Sequence, residues 1–95
     1  MNFTIAETHP CLPGHFPGQP VVPGVVVLDR VLDAVEADFG APLPLPVRWP
    51  QVKFASPLLP GQEASIELSR VGEALRWTFK VRRGDLVLAS GEVAA

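Results

Sequence analysis

The sequence predicts an α+β fold in which an antiparallel sheet wraps around one long central helix. Residues 25–39, VVVLDRVLDAVEADF, contain neither proline nor glycine and stop at Gly40, the pattern of a helix ended by glycine. Leu75, Trp77, Phe79 and Val81 alternate with Arg76, Thr78, Lys80 and Arg82, the period-two signature of a half-buried strand. The order of elements completes the expectation: a strand, a stiff loop, the helix, then a meander of strands. A helix this apolar beside a half-buried curved sheet is packed most economically when the sheet surrounds it.

Phe3 and Ile5 alternate with polar neighbours, which predicts a first strand over about residues 2 to 8. The loop that follows, PCLPGHFPGQPVVPG at residues 10–24, holds five prolines and three glycines. Each proline fixes its own φ and pushes the preceding residue out of the helical region, so the loop is extended and stiff. Valine is a modest helix former, so the first turns of the helix need burial to form. At 100° per residue, Asp29, Asp33 and Glu36 share one arc, while Val27, Leu28, Val31, Leu32 and Val35 lie opposite. Val25 and Val26 border the acidic arc one turn earlier, so Asp29 sits where an apolar turn gives way to a wet one.

APLPLPVRWP at residues 41–50 is a crossover that becomes regular only near Val47. Val47 and Trp49 take one phase of alternation, Val52 and Phe54 the other, and Pro50 lies at the change, as an edge strand with a bulge requires. SPLLPGQ at residues 56–62 reads as a turn. Strands are expected around Ile66 and Leu68, over Leu75 to Val81, and over Leu86 to Val93 after the turn at Gly84 and Asp85. The whole is a hotdog arrangement, whose usual dimer joins two sheets into one continuous surface.

At 95 residues the chain predicts a single domain spanning 1–95. A chain of this size buries only about 60 to 65% of its unfolded surface. With 47% apolar residues, part of the apolar surface is left to cover a partner subunit. The net charge of −2 argues against a nucleic-acid partner. Of the eight lysines and arginines only Arg30 precedes Val47, so the second half can present local positive surface. The single cysteine, Cys11, has no intramolecular disulfide partner, and with two histidines it leaves no metal ligand set. No phosphate-binding loop or dinucleotide fingerprint occurs. No apolar run approaches the ~18 residues of a membrane span or follows a charged signal-peptide head. A cytoplasmic protein is the simplest expectation, with no metal or other cofactor.

His15, in PGHFPG, is the first candidate for chemistry. An imidazole titrates near neutral pH and can take a proton from a weakly acidic carbon; its plain alternative is a hydrogen bond to a loop carbonyl. Flanking Gly14 and Gly18 let the backbone approach a ligand while the prolines hold the side chain still. Asp29 reads either as an idle solvated carboxylate or as a proton donor, its pKa raised by the apolar turn before it. Gly24 opens the helix, where free N–H groups at the positive end of the dipole can stabilise a developing enolate; a simple turn role is the alternative. Arg76, Lys80 and Arg82 share one strand face, with Arg48 and Lys53 on another strand. They are solvated strand residues or, as a group, a surface that steers an acidic partner. Cys11 reads as a small buried residue and His9 as a loop residue.

GHFPGQPVVPGVVVLD, Gly14 to Asp29, resembles the active-site signature of the 3-hydroxyacyl-acyl carrier protein dehydratases, a hotdog family. The similarity continues at KFASPLLPGQEASIEL, Lys53 to Leu68, and covers nearly the whole chain from Phe3. The resemblance implies that His15 matches the catalytic histidine and Gly24 the glycine whose N–H polarises the thioester carbonyl. It also implies that Phe16, Pro23 and Val25 line the substrate site. Asp29 falls where common members have glutamate and the dehydratase-isomerase branch has aspartate; the two catalytic side chains meet across the dimer interface. The substrate would be a 3-hydroxyacyl group on the phosphopantetheine of acyl carrier protein, with Arg76, Lys80 and Arg82 docking the carrier.

Two departures stand out. Asp33 occupies a position where many members carry glutamine, so it either acts on Asp29 or faces solvent. The chain is also shorter than the usual members, without the segment before their first strand, as in compact relatives that serve accessory acyl pathways, including polyene-type ones. Two other functions fit less of the sequence: a thioesterase using Asp29 to activate water, and a non-catalytic hotdog subunit that binds acyl carrier protein or completes a heterodimer.

Overall fold

A computed structural model of the chain describes residues 1–5 and 21–95. The expectations for residues 6–20, including the end of the first strand, His9, Cys11, His15 and Phe16, lie outside the described residues. The elements in order are β1 (Asn2–Thr4), α1 (Gly24–Phe39), β2 (Arg48–Phe54), β3 (Glu63–Arg70), β4 (Arg76–Arg83) and β5 (Leu86–Ala94). All strand pairs are antiparallel, in the order β1-β3-β4-β5-β2. One helix against one antiparallel sheet is the predicted hotdog arrangement.

Helix α1 depends on the sheet. Its valines are poor helix formers in isolation, and it has no side-chain N-cap and no acid in its first turn. What holds it is burial: Val26, Val27, Val31, Ala34 and Val35 share one core cluster with Ile66, Trp77, Phe79, Val81 and Val93 of the sheet. Val31 and Val35 are fully enclosed, and each such side chain contributes about 1.5 kcal/mol or more. The helix ends at Gly40, whose φ of 86° is left-handed and whose N–H donates to Glu36 O at 2.8 Å. The Glu36 carboxylate then accepts from Leu43 N at 2.8 Å, turning the chain into the crossover.

The far end of the helix is tied through a tryptophan. Trp77 is fully buried, and its indole N–H needs an acceptor there. Asp38 in the last helical turn supplies it, at 3.0 Å. Phe39 meets the Trp77 ring edge-on at 5.9 Å, and the Arg70 guanidinium lies over both rings, 5.6 and 5.1 Å from their centroids.

Strand β2 is the edge strand expected from its prolines. Among the described residues it pairs only with β5, and its register shifts between Arg48 and Gln51, with Pro50 inside the irregular stretch. The phase change lets Trp49 pack edge-on against Phe79 at 5.9 Å while Val52 also joins the core. Where β2 crosses β5 the backbones approach closely. A side chain at Gly91 would place its Cβ 2.1 Å from Gln51 O and 2.9 Å from Val52 Cα. Among the described residues no helix is long and apolar enough to cross a membrane.

Because the atoms facing Gly91 are backbone rather than a movable side chain, Gly91→Ala should force β2 away from β5. The expected loss is about 2 to 4 kcal/mol of unfolding free energy, read from urea denaturation; a loss below about 0.5 kcal/mol would show that the strands separate freely.

Candidate active site

The start of α1 is fixed by the turn that precedes β3. Val22 N donates to Leu58 O at 2.8 Å, and Leu58 is itself buried in the core cluster. Pro23 follows as N-cap, extended at φ −59°, ψ 145°. Val26 N and Val27 N both donate to Pro23 O, at 3.0 and 3.4 Å. Among the described residues, the Gly24 and Val25 N–H groups have no acceptor, as expected of the first residues of a helix. They form the positive end of the helix dipole.

Beside this terminus lies a cavity of about 420 Å³. Val21, Pro23, Gly24, Phe54, Ala55, Ser56 and Pro57 form its partly exposed rim, and Val22, Val27, Leu58, Val81, Leu88 and Ala89 its buried wall. Among the described residues, Ser56 alone brings a side-chain heteroatom to this lining. An apolar slot that ends at free backbone donors suits a ligand with a hydrocarbon body and one polar carbonyl. The Phe54 ring rests on the glycine: a Cβ added at Gly24 would lie 2.7 Å from Phe54 Cζ.

Gly24 and Pro23 are thus at the cavity. Val25 is not in the lining; it turns outward and is 64% exposed. Asp29 is exposed, because the apolar first turn does not fold over it: Val26 is buried in the core and Val25 faces away. The desolvation expected from the sequence is not supplied by the described residues of this chain. The rest of the acidic arc is engaged elsewhere. Asp33 pairs with Arg30 at 3.4 Å and faces solvent, while Glu36 serves Leu43. Among the described residues none donates to Asp29.

Arg76 and Lys80 lie exposed on the outward face of β4, opposite the side that meets the helix, and Arg82 is half-buried there. They alternate with acids from the neighbouring strands: Arg76 lies 3.6 Å from Glu92 and Arg82 3.2 Å from Glu67. None of the three lines the cavity. Of the lining residues that the sequence reading does not assign to the site, Leu58, Leu88 and Ala89 carry a faint sequence signal. Leu86 to Ala89 are four apolar residues in a row, and SPLLPG sets two leucines inside a turn; neither pattern fits simple alternation.

The family model described as ApeI-like, ApeI dehydratase, matches residues 1–92. The chain belongs to the ApeI-like dehydratase family. It is similar to curated proteins called 3-hydroxyacyl-[acyl-carrier-protein] dehydratase FabZ. The one from Magnetococcus marinus is 32% identical over 102 residues, 98% of this chain and 63% of the relative. That from Chlamydia trachomatis is 32% identical over 107 residues, 98% and 67%, and that from Symbiobacterium thermophilum 29% over 86 residues, 84% and 59%. This ApeI-like chain therefore spans 59 to 67% of the length of these relatives. Among solved structures, a chain of the dehydratase heterocomplex ApeI:P from Xenorhabdus doucetiae has a TM-score of 0.77 at 24% identity, covering 98% of this chain and 81% of its own. That likeness shows a shared fold.

In this ApeI-like chain Phe54 is 52% exposed and can swing off Gly24. Gly24→Ala should therefore change stability by less than about 1 kcal/mol, and Phe54→Ala should remove any cost that remains. A double-mutant denaturation cycle checks this; a large cost that persists without Phe54 would place the obstruction in the backbone.

Proposed function

We propose that the chain is a 3-hydroxyacyl-acyl carrier protein dehydratase, giving a trans-2-enoyl thioester in fatty acid or polyene-type biosynthesis. The observation that carries this reading is the apolar cavity ending at the unpaired N–H groups of the α1 terminus, in a chain whose family is a dehydratase family. The thioester carbonyl would accept from Gly24 N–H, where the helix dipole favours the developing negative oxygen. His15 takes the proton from C2. The electron pair left on C2 forms the C2–C3 double bond as the C3–O bond breaks, and Asp29 donates the proton with which the hydroxyl leaves as water. No metal or cofactor enters this sequence.

Asp29 faces outward from a single chain, so in this reading a second subunit supplies the enclosure it lacks, and the active unit is a homodimer with shared sites. The open edge of β2 and the exposed Val25 and Phe54 support such a partner. Arg76, Lys80 and Arg82, with Lys53, remain the proposed contacts for an acidic carrier, and the proposed compartment is the cytoplasm. One observation favours a variant of this reading. One solved structure of like fold is a heterocomplex, so a different hotdog subunit is the second candidate for the partner; size measurement alone and after mixing separates the two.

Dehydration of 3-hydroxyacyl-carrier substrates is the test. His15→Ala and Asp29→Asn should each lower the rate by about 10²- to 10⁴-fold, and Asp29→Asn should leave the denaturation midpoint nearly unchanged, because its side chain is exposed. Absence of dehydration and of the reverse hydration with every carrier-bound chain length, together with no effect of His15→Ala, would overturn the assignment.

A further inference from the structure

Strand β5 breaks its alternation at one point. Val81 of β4 is opposite Ala89, but the next residue, Arg82, is opposite Val87. Leu88 is therefore the extra residue of a β-bulge. Consecutive side chains of a regular strand point to opposite faces. Here Leu88 and Ala89, 2% and 0% exposed, both line the cavity. The bulge is also fastened to the rim: Leu88 O accepts from Ala55 N at 2.8 Å and from Ser56 N at 3.2 Å. Bulges recur beside functional sites because they re-aim a side chain in this way.

Exposure across the cavity is graded. Gly24, Phe54, Ser56 and Pro57 are open to solvent in part, whereas Val81, Leu88 and Ala89 are closed off from it. A chain entering at the Gly24 rim runs toward these three. Val81 is held in the core cluster with Trp77 and Phe79, and Ala89 has little side chain to offer. Leu88 is the large side chain that the bulge adds to this end.

We propose that Leu88 is the stop that sets the length of acyl chain the cavity accepts, so that acyl groups up to a sharp length limit are taken and longer ones are not. This rests on the dehydratase reading only in taking the occupant to be an acyl thioester. The length limit itself can be measured without catalysis.

The probes are saturated N-acyl-pantetheine amides of increasing length, which cannot be dehydrated, with affinity read by calorimetry on the full chain. Wild-type affinity should rise about fourfold for each methylene that finds room and stop rising at a break length. Leu88→Ala removes three carbon atoms from the stop and should move the break about three methylenes longer; Leu88→Phe should shorten it. If Leu88→Ala unfolds, Leu88→Val carries the same test with a shift of about one methylene. A break that stays in place in folded Leu88 variants, a wild-type series with no break, or no binding by any probe would each overturn the proposal. A break that moves as expected in a protein without dehydratase activity would sink the reaction assigned above while the stop stands. Dehydration of every length with no break would do the reverse.

Discussion

Everything at the candidate site depends on the burial of the valine face of α1 against the sheet. The helix has a weak intrinsic tendency to form and no side-chain cap, so it is held from outside, by the core cluster that Val27, Val31 and Val35 share with Ile66, Trp77, Phe79, Val81 and Val93. That packing places Gly24. The Val22–Leu58 hydrogen bond at one end and the Trp77–Asp38 bond at the other hold the helix at two points. Gly24 at its start therefore lies in the lining of a cavity whose buried wall, Val27, Leu58, Val81, Leu88 and Ala89, belongs to the core.

Two irregular stretches shape that cavity from the sheet side. The shift at Pro50 changes the phase of β2, so that Trp49 and Val52 both pack inward and the strand ends with Phe54 over Gly24. The bulge at Leu88 turns two consecutive residues of β5 inward and gives its carbonyl to Ala55 and Ser56. A sheet without these breaks would offer evenly alternating side chains to the helix.

The chemistry sits less evenly. The apolar wall and the helix terminus come from one chain, whereas Asp29 has an exposed carboxylate and no donor among the described residues. Asp33 is drawn to Arg30 and solvent, so it does not stand behind Asp29. The outward bases of β4 are likewise balanced by Glu67 and Glu92. Their field at a distance is that of a mixed surface, weaker than the three charges alone would produce.

The sequence by itself determined the helix and its glycine stop, the edge character and bulge of the proline-broken strand, the strands that alternate cleanly, and the family. These are local: period, proline geometry and glycine conformation act over a few residues, and the Gly14 to Asp29 segment is dense enough to carry a family resemblance. Only the tertiary structure decided which side chains meet. Alternation says that Leu88 or Ala89 faces the core, but a register shift between two strands turned both inward. The helical arc grouped Asp29, Asp33 and Glu36, but Arg30, Leu43 and solvent sorted them into separate roles. Exposure of Val25 and Asp29 likewise followed from how the helix rolls onto the sheet, a choice made by long-range packing that no stretch of the chain encodes alone.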